Sequence, residues 1–169
     1  MKFLFEHHQT KTLLQEWLPT RTCVILFHSF WLVGTKLQHS FKGLLANLVS
    51  QIARAHPEIV AQSCMQHLHK AYLDDWSEKE LRQVLLQFIQ NPALSGCIFL
   101  DGMDEFDHND DIERLFKVIS NIEETSRAAW KLCISTRPIQ YILDRSQPAP
   151  TMKLHELTAA ISKRVPLPR

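Results

Sequence analysis

Asp101, Asp104 and Glu105 are the residues of this sequence best placed to do chemistry together. They close the run Cys97-Ile98-Phe99-Leu100-Asp101-Gly102-Met103-Asp104-Glu105-Phe106, in which apolar residues lead into one carboxylate and an adjacent pair follows. That is the pattern of a Walker B strand. Mg2+ is a hard cation that keeps most of its waters and takes one or two carboxylates together with phosphate oxygens. A buried strand delivers such a carboxylate rigidly. The phosphate cradle that accompanies such a site, G-x-x-x-x-G-K-[ST], does not occur in the 169 residues. Gly34-Thr35-Lys36 imitates its end, but it lacks the upstream glycine and the preceding strand that present N–H groups to phosphate.

The elements that would position these residues follow from hydrophobic period and punctuation. Residues 1 to about 9 read as a helix already under way at Met1, and a second short helix carries Leu13, Leu14, Trp17 and Leu18 up to Pro19. Thr22 to Phe30 is rich in β-formers and reads as a strand. Phe41, Leu44, Leu45, Leu48 and Ile52 form one face of an amphipathic helix ending near His56-Pro57, and Pro57 opens the next helix. Ser77 and Glu80 make a capping box ahead of Leu81, Val84, Leu85 and Phe88.

Gly96 to Asp101 reads as a strand covered on both faces. Ile112, Leu115, Phe116 and Ile119 make a helix capped by Asn109 or Asp110, which assigns the acidic stretch 107–111 to that helix start. Leu132 to Ser135 is the third strand, Pro138 opens a short helix to about Asp144, and 152–154 forms a last brief strand. Strands separated by helices predict an α/β fold with a parallel sheet flanked by helices, its ligand at the carboxyl ends of the strands. Asp101 and Arg137 both lie at such ends.

With 45% hydrophobic residues, 22% charged and a net charge of +1, the chain has enough apolar material for one core. The same figures argue against long disorder and against nucleic acid as a partner. Cys23, Cys64, Cys97 and Cys133 form no C-x-x-C and are mostly in apolar runs, which suggests a reducing, cytoplasmic setting. No apolar run approaches the length needed to span a membrane. The nine histidines, His67 and His69 among them, have no metal-ligand spacing and read as solvated surface residues.

The combined pattern resembles a NACHT-type domain of the signal-transduction (STAND) P-loop NTPases, in the nephrocystin-like N-terminal version common in fungi. Beyond the acidic run, Phe30-Trp31, Gly34-Thr35, Leu37-Gln38, Ser40 and Gly43-Leu44-Leu45 look like the segment after that family's second strand. Ser135-Thr136-Arg137-Pro138 looks like its sensor strand and exit. The resemblance covers residues 1–158 as a partial NACHT domain, and 159–169 departs from it as a divergent tail. It implies Asp101 as the Mg2+ carboxylate, Asp104 and Glu105 as the residues that orient or deprotonate water, and Arg137 as the γ-phosphate sensor. The cofactors implied are Mg2+ and ATP or GTP.

In that family the phosphate loop would lie just before residue 1, so the fold expected is an incomplete P-loop NTPase core lacking its phosphate-loop strand. Losing three charge-assisted hydrogen bonds removes on the order of 5 kcal/mol of nucleotide affinity, so little NTPase activity is expected. The strand 132–135 then becomes an apolar edge, which implies self-association or docking to other NACHT proteins. The expected function is a fragment of a nucleotide-dependent signalling switch that retains the Walker B and sensor elements; the alternative is a non-catalytic interaction module.

Overall fold

A computed structural model describes residues 1–59, 67, 70, 72–107, 112–126, 128–145 and 149–154. The chain divides into two compact units, Met1–Arg137 and Pro138–Arg169. The first is an α/β layer structure built on three parallel strands: β1 (Thr22–Ser29), β2 (Leu94–Asp101) and β3 (Trp130–Ile134), in the order β1-β2-β3. Thr22 pairs with Leu94 and Ser29 with Asp101, while Gly96 pairs with Trp130 and Leu100 with Ile134. All three strands therefore finish at one rim, with Asp101 in the middle. β2 begins two residues earlier than expected, because Leu94 and Ser95 already pair with β1.

The central strand is buried from Leu94 to Leu100, whereas β1 alternates buried and half-buried residues. Two helical layers cause that pattern. Against one face lie α1 (Lys2–Glu6) and α2 (His8–Trp17): Leu14, Cys97 and Phe99 form a small core there, with Met1, Phe5, Trp17, Cys23, Ile25, Phe27 and Cys133 packed on it. Toward the other face come α4 (Phe41–Ala55), α5 (Glu78–Gln90) and α6 (Ile112–Thr125), which supply Leu45, Ile52, Leu85, Phe88 and Leu115, all fully buried. A one-turn helix, α3 (Lys36–His39), links β1 to α4.

The caps are local and follow from residue type. Ser40 Oγ accepts the Gly43 N–H at the start of α4 (3.1 Å). Ser77 and Glu80 form the expected capping box on α5, and Lys70 donates to Glu80 at 2.7 Å. That hydrogen bond and those from Ser77 hold the Glu80 carboxyl down at about 2.

Several boundaries differ from the sequence expectation. The first helix stops at Glu6 and a new one starts at His8, because His7 is extended (φ −72°, ψ 129°) and its Nδ1 accepts the Gln9 N–H at 3.3 Å. Residues 57–59 are helical; the rest of the helix expected from Pro57, and the caps Asn109 and Asp110, lie outside the described residues. So do His69, Cys64 and the tail 159–169. His28 and His67 are buried rather than solvated: His28 packs edge-on against Phe30 (4.6 Å) and His67 lies against Trp76 (4.8 Å).

In the second unit the helix α7 spans Gln140–Arg145 and begins two residues after Pro138, because the Ile139 carbonyl takes the first helical N–H groups, those of Ile142 and Leu143. The brief strand expected at 152–154 does not form: Met152 and Leu154 are exposed, and among the described residues no strand pairs with this segment. No helix among the described residues is long and apolar enough to cross a membrane.

Candidate functional site at the strand ends

The chain must turn sharply after Asp101, and Gly102 permits it by adopting the left-handed conformation (φ 68°, ψ 43°). A side chain there would also crowd the Phe30 carbonyl, 3.2 Å from the position of a Cβ. Met103–Glu105 then forms a single 3-10 turn. Two buried residues anchor it: Met103, and Phe106, whose ring meets Phe30 edge-on at 5.5 Å. Its backbone is stitched to the neighbouring strand exit, since Met103 N–H donates to the Ser135 carbonyl (2.9 Å) and Gly102 N–H to Ser135 Oγ (3.1 Å).

Each carboxylate of the acidic run is tied to a different place. Asp101 Oδ1 accepts a hydrogen bond from the Ser135 hydroxyl. Asp104 grips Arg137 twice, Oδ1 accepting the backbone N–H (3.0 Å) and Oδ2 lying 3.2 Å from Nε. Glu105 Oε2 accepts the Leu32 N–H (3.1 Å) in the loop after β1. The four residues singled out in the sequence, Asp101, Asp104, Glu105 and Arg137, thus lie together on one rim. The hydroxyl of Ser135 is a partner that residue types alone did not single out. The signal for it is the register: Ile134 pairs with Leu100, so the residue that follows β3 falls beside Asp101.

The Gly34-Thr35-Lys36 segment does other work. Thr35 caps α3, and its N–H donates to Gln38 Oε1 at 2.8 Å. Beneath the rim, His28 is bonded through Nδ1 to Asn47 (3.0 Å) while Nε2 has no partner among the described residues, and burial pulls its pKa down to about 4. It is therefore neutral at pH 7. Burial also pushes the Cys97 thiol up to about 12 and raises Cys133, to which Asp101 adds a smaller upward push. These thiols are protonated packing groups rather than nucleophiles.

Among the described residues no three His, Cys, Asp or Glu side chains gather to hold a metal. A lone carboxylate at a strand end, one oxygen on a hydroxyl and the other not, suits a cation that keeps its water shell. A family model described as nephrocystin 3, N-terminal, matches residues 1–137. No curated protein and no solved structure matches the chain.

Proposed function

The chain belongs to the nephrocystin 3 N-terminal family, and on that premise we propose that its rim is the carboxylate-and-arginine side of a nucleotide site in a NACHT-type signalling switch. The supporting observation is the meeting of Asp101, Asp104, Glu105 and Arg137 at the carboxyl ends of parallel strands, where α/β sheets bind ligands. Mg2+ would supply charge neutralisation between phosphate oxygens. Asp101 would hold it, through water, on the oxygen that Ser135 leaves free. The water-activating carboxylate would come from the Asp104-Glu105 pair, and Arg137 offers donors to a terminal phosphate. ATP and GTP suit this rim equally, since none of these residues reads a base.

The test is a titration of the full chain with Mg2+-ATP, followed by calorimetry. Weak, Mg2+-dependent binding that Asp101→Ala weakens at least tenfold supports the reading. Binding that Asp101→Ala leaves unchanged overturns it.

A second reading, a non-catalytic module that self-associates or docks onto other NACHT proteins, is favoured by one observation: β3 is an edge strand among the described residues. It predicts association that Asp101→Ala does not alter, measured by sedimentation.

A further inference from the structure

We infer that Asp104 is a positioning residue that acts through Arg137, which leaves Glu105 as the member of the acidic pair free to meet a reacting group. The inference rests on the nucleotide reading for the identity of the ligand. Its geometric content, the grip of Asp104 on Arg137, stands apart from that reading.

The two partners are unequal in exposure. The Asp104 side chain is 7% exposed and that of Arg137 is 78% exposed. Asp104 spends both oxygens on one residue, Oδ1 on the Arg137 N–H and Oδ2 on Nε. A nearly buried carboxylate engaged in this way must give up its bonds to Arg137 before it can take a proton from water. Asp104 sits on a turn pinned by buried Met103, whose N–H donates to the Ser135 carbonyl (2.9 Å) two residues before Arg137. Carboxylate and arginine therefore hang from one backbone junction.

The hold on Arg137 is at its inner side. Nε faces Asp104, while the Nη groups make no hydrogen bond or ion pair among the described residues. A guanidinium held by Nε keeps its remaining donors as a planar fork, and fixing it in advance reduces the side-chain entropy lost on binding. The anion that fits is a terminal phosphate, which accepts two parallel N–H bonds. Glu105 differs on each count: its single bond goes to a backbone N–H of an exposed loop, and Oε1 makes none among the described residues.

The test exploits a difference in sign. A carboxylate that merely stands near bound phosphate repels it, so its removal tightens anion binding; a carboxylate that positions the arginine weakens binding when removed. The full chain, labelled with 15N, is titrated with inorganic triphosphate while the Arg137 Nε–H signal is followed by NMR. Asp104→Asn and Arg137→Lys are each expected to weaken triphosphate binding five- to tenfold, with no further loss in the double variant, and Asp104→Asn speeds solvent exchange of the Arg137 Nε–H. Glu105→Gln leaves that signal in place. Arg137→Lys keeps Asp104 and the charge but cannot be gripped at Nε, so it covers the case in which Asp104→Asn fails to fold. Unchanged or tighter binding in Asp104→Asn, or an unaltered Nε–H signal, overturns the inference. If the wild-type chain does not bind triphosphate but the Nε–H responds to Asp104→Asn, the positioning role stands and the nucleotide reading falls.

Discussion

The two edges of the sheet are finished in different ways. On β1 the outward backbone of Phe27 is closed by α4: its N–H donates to Gln51 Oε1 (3.0 Å), and its carbonyl accepts from Gln51 Nε2 (2.7 Å) and Asn47 Nδ2 (3.1 Å). At this residue two side-chain amides one helical turn apart take the place of a neighbouring strand. On β3 the hydrogen-bond phase set by Gly96 N–H to the Ala129 carbonyl and Ser135 N–H to the Leu100 carbonyl turns the backbone groups of Trp130, Leu132 and Ile134 away from β2. Among the described residues nothing comparable to Gln51 meets them. A sheet edge that is left open is a template for a further strand, and on β1 that template is interrupted at Phe27. Ser135 and Arg137 hang from the β3 side, which places half of the candidate site beside whatever pairs there.

The contrast can be broken within β3 itself. In Cys133→Pro the lost N–H faces β2 and the ring displaces a ladder bond, so a loss of about 3 kcal/mol is expected from urea unfolding. In Leu132→Pro the lost N–H faces outward, and about 1 kcal/mol is expected. Equal losses would mean that the outer side of β3 is already paired.

On the closed edge the largest pH effect belongs to His28, next to Phe27. Burial lowers its pKa from 6.5 to about 4, so the unfolded chain binds a proton between those values that the folded chain refuses. Stability therefore falls as pH drops from 6.5 toward 4, by about 3 kcal/mol from this group, and is level below. His28→Leu should remove that slope from urea midpoints measured across pH. A variant that keeps the slope would assign it to another group.

Gln51→Ala tests the closure directly. It strands the Phe27 N–H and leaves only Asn47 on the carbonyl, and about 2 kcal/mol is expected. A cost below about 0.5 kcal/mol would show that water replaces the amide and that the two edges are equivalent.

The fold was legible wherever local chemistry decided it. Ser77 and Glu80 announced α5, and the spacing of Phe41, Leu44, Leu45, Leu48 and Ile52 announced α4. The continuous apolar run before Asp101 announced a central strand buried on both faces. What was not legible depended on partners far away in sequence. Nothing local says that Gln51 serves β1, that Ser135 donates to Asp101, or that His28 is buried; each follows from strand order and register. The acidic run was legible as a cluster because its residues are adjacent, but the different ties of Asp104 and Glu105 depend on the turn that Gly102 begins, and that geometry has no signature in spacing. His7 shows the opposite failure: a residue compatible with a continuous helix that breaks it by capping the next one.

Glu105→Ala offers the smallest and most local test. Its carboxylate ties the acidic turn to Leu32, just past the closed edge, by one bond at a half-exposed position. Solvent competes for such a bond, so its loss costs about 0.5–1 kcal/mol. Amide exchange at Leu32 should quicken by about two- to fivefold, since exchange scales with that free energy. Phe27, held by Gln51, should not change. If the Phe27 amide quickens as well, β1 owes its order to the rim rather than to α4, and the closed edge is closed by the site instead of by the helix.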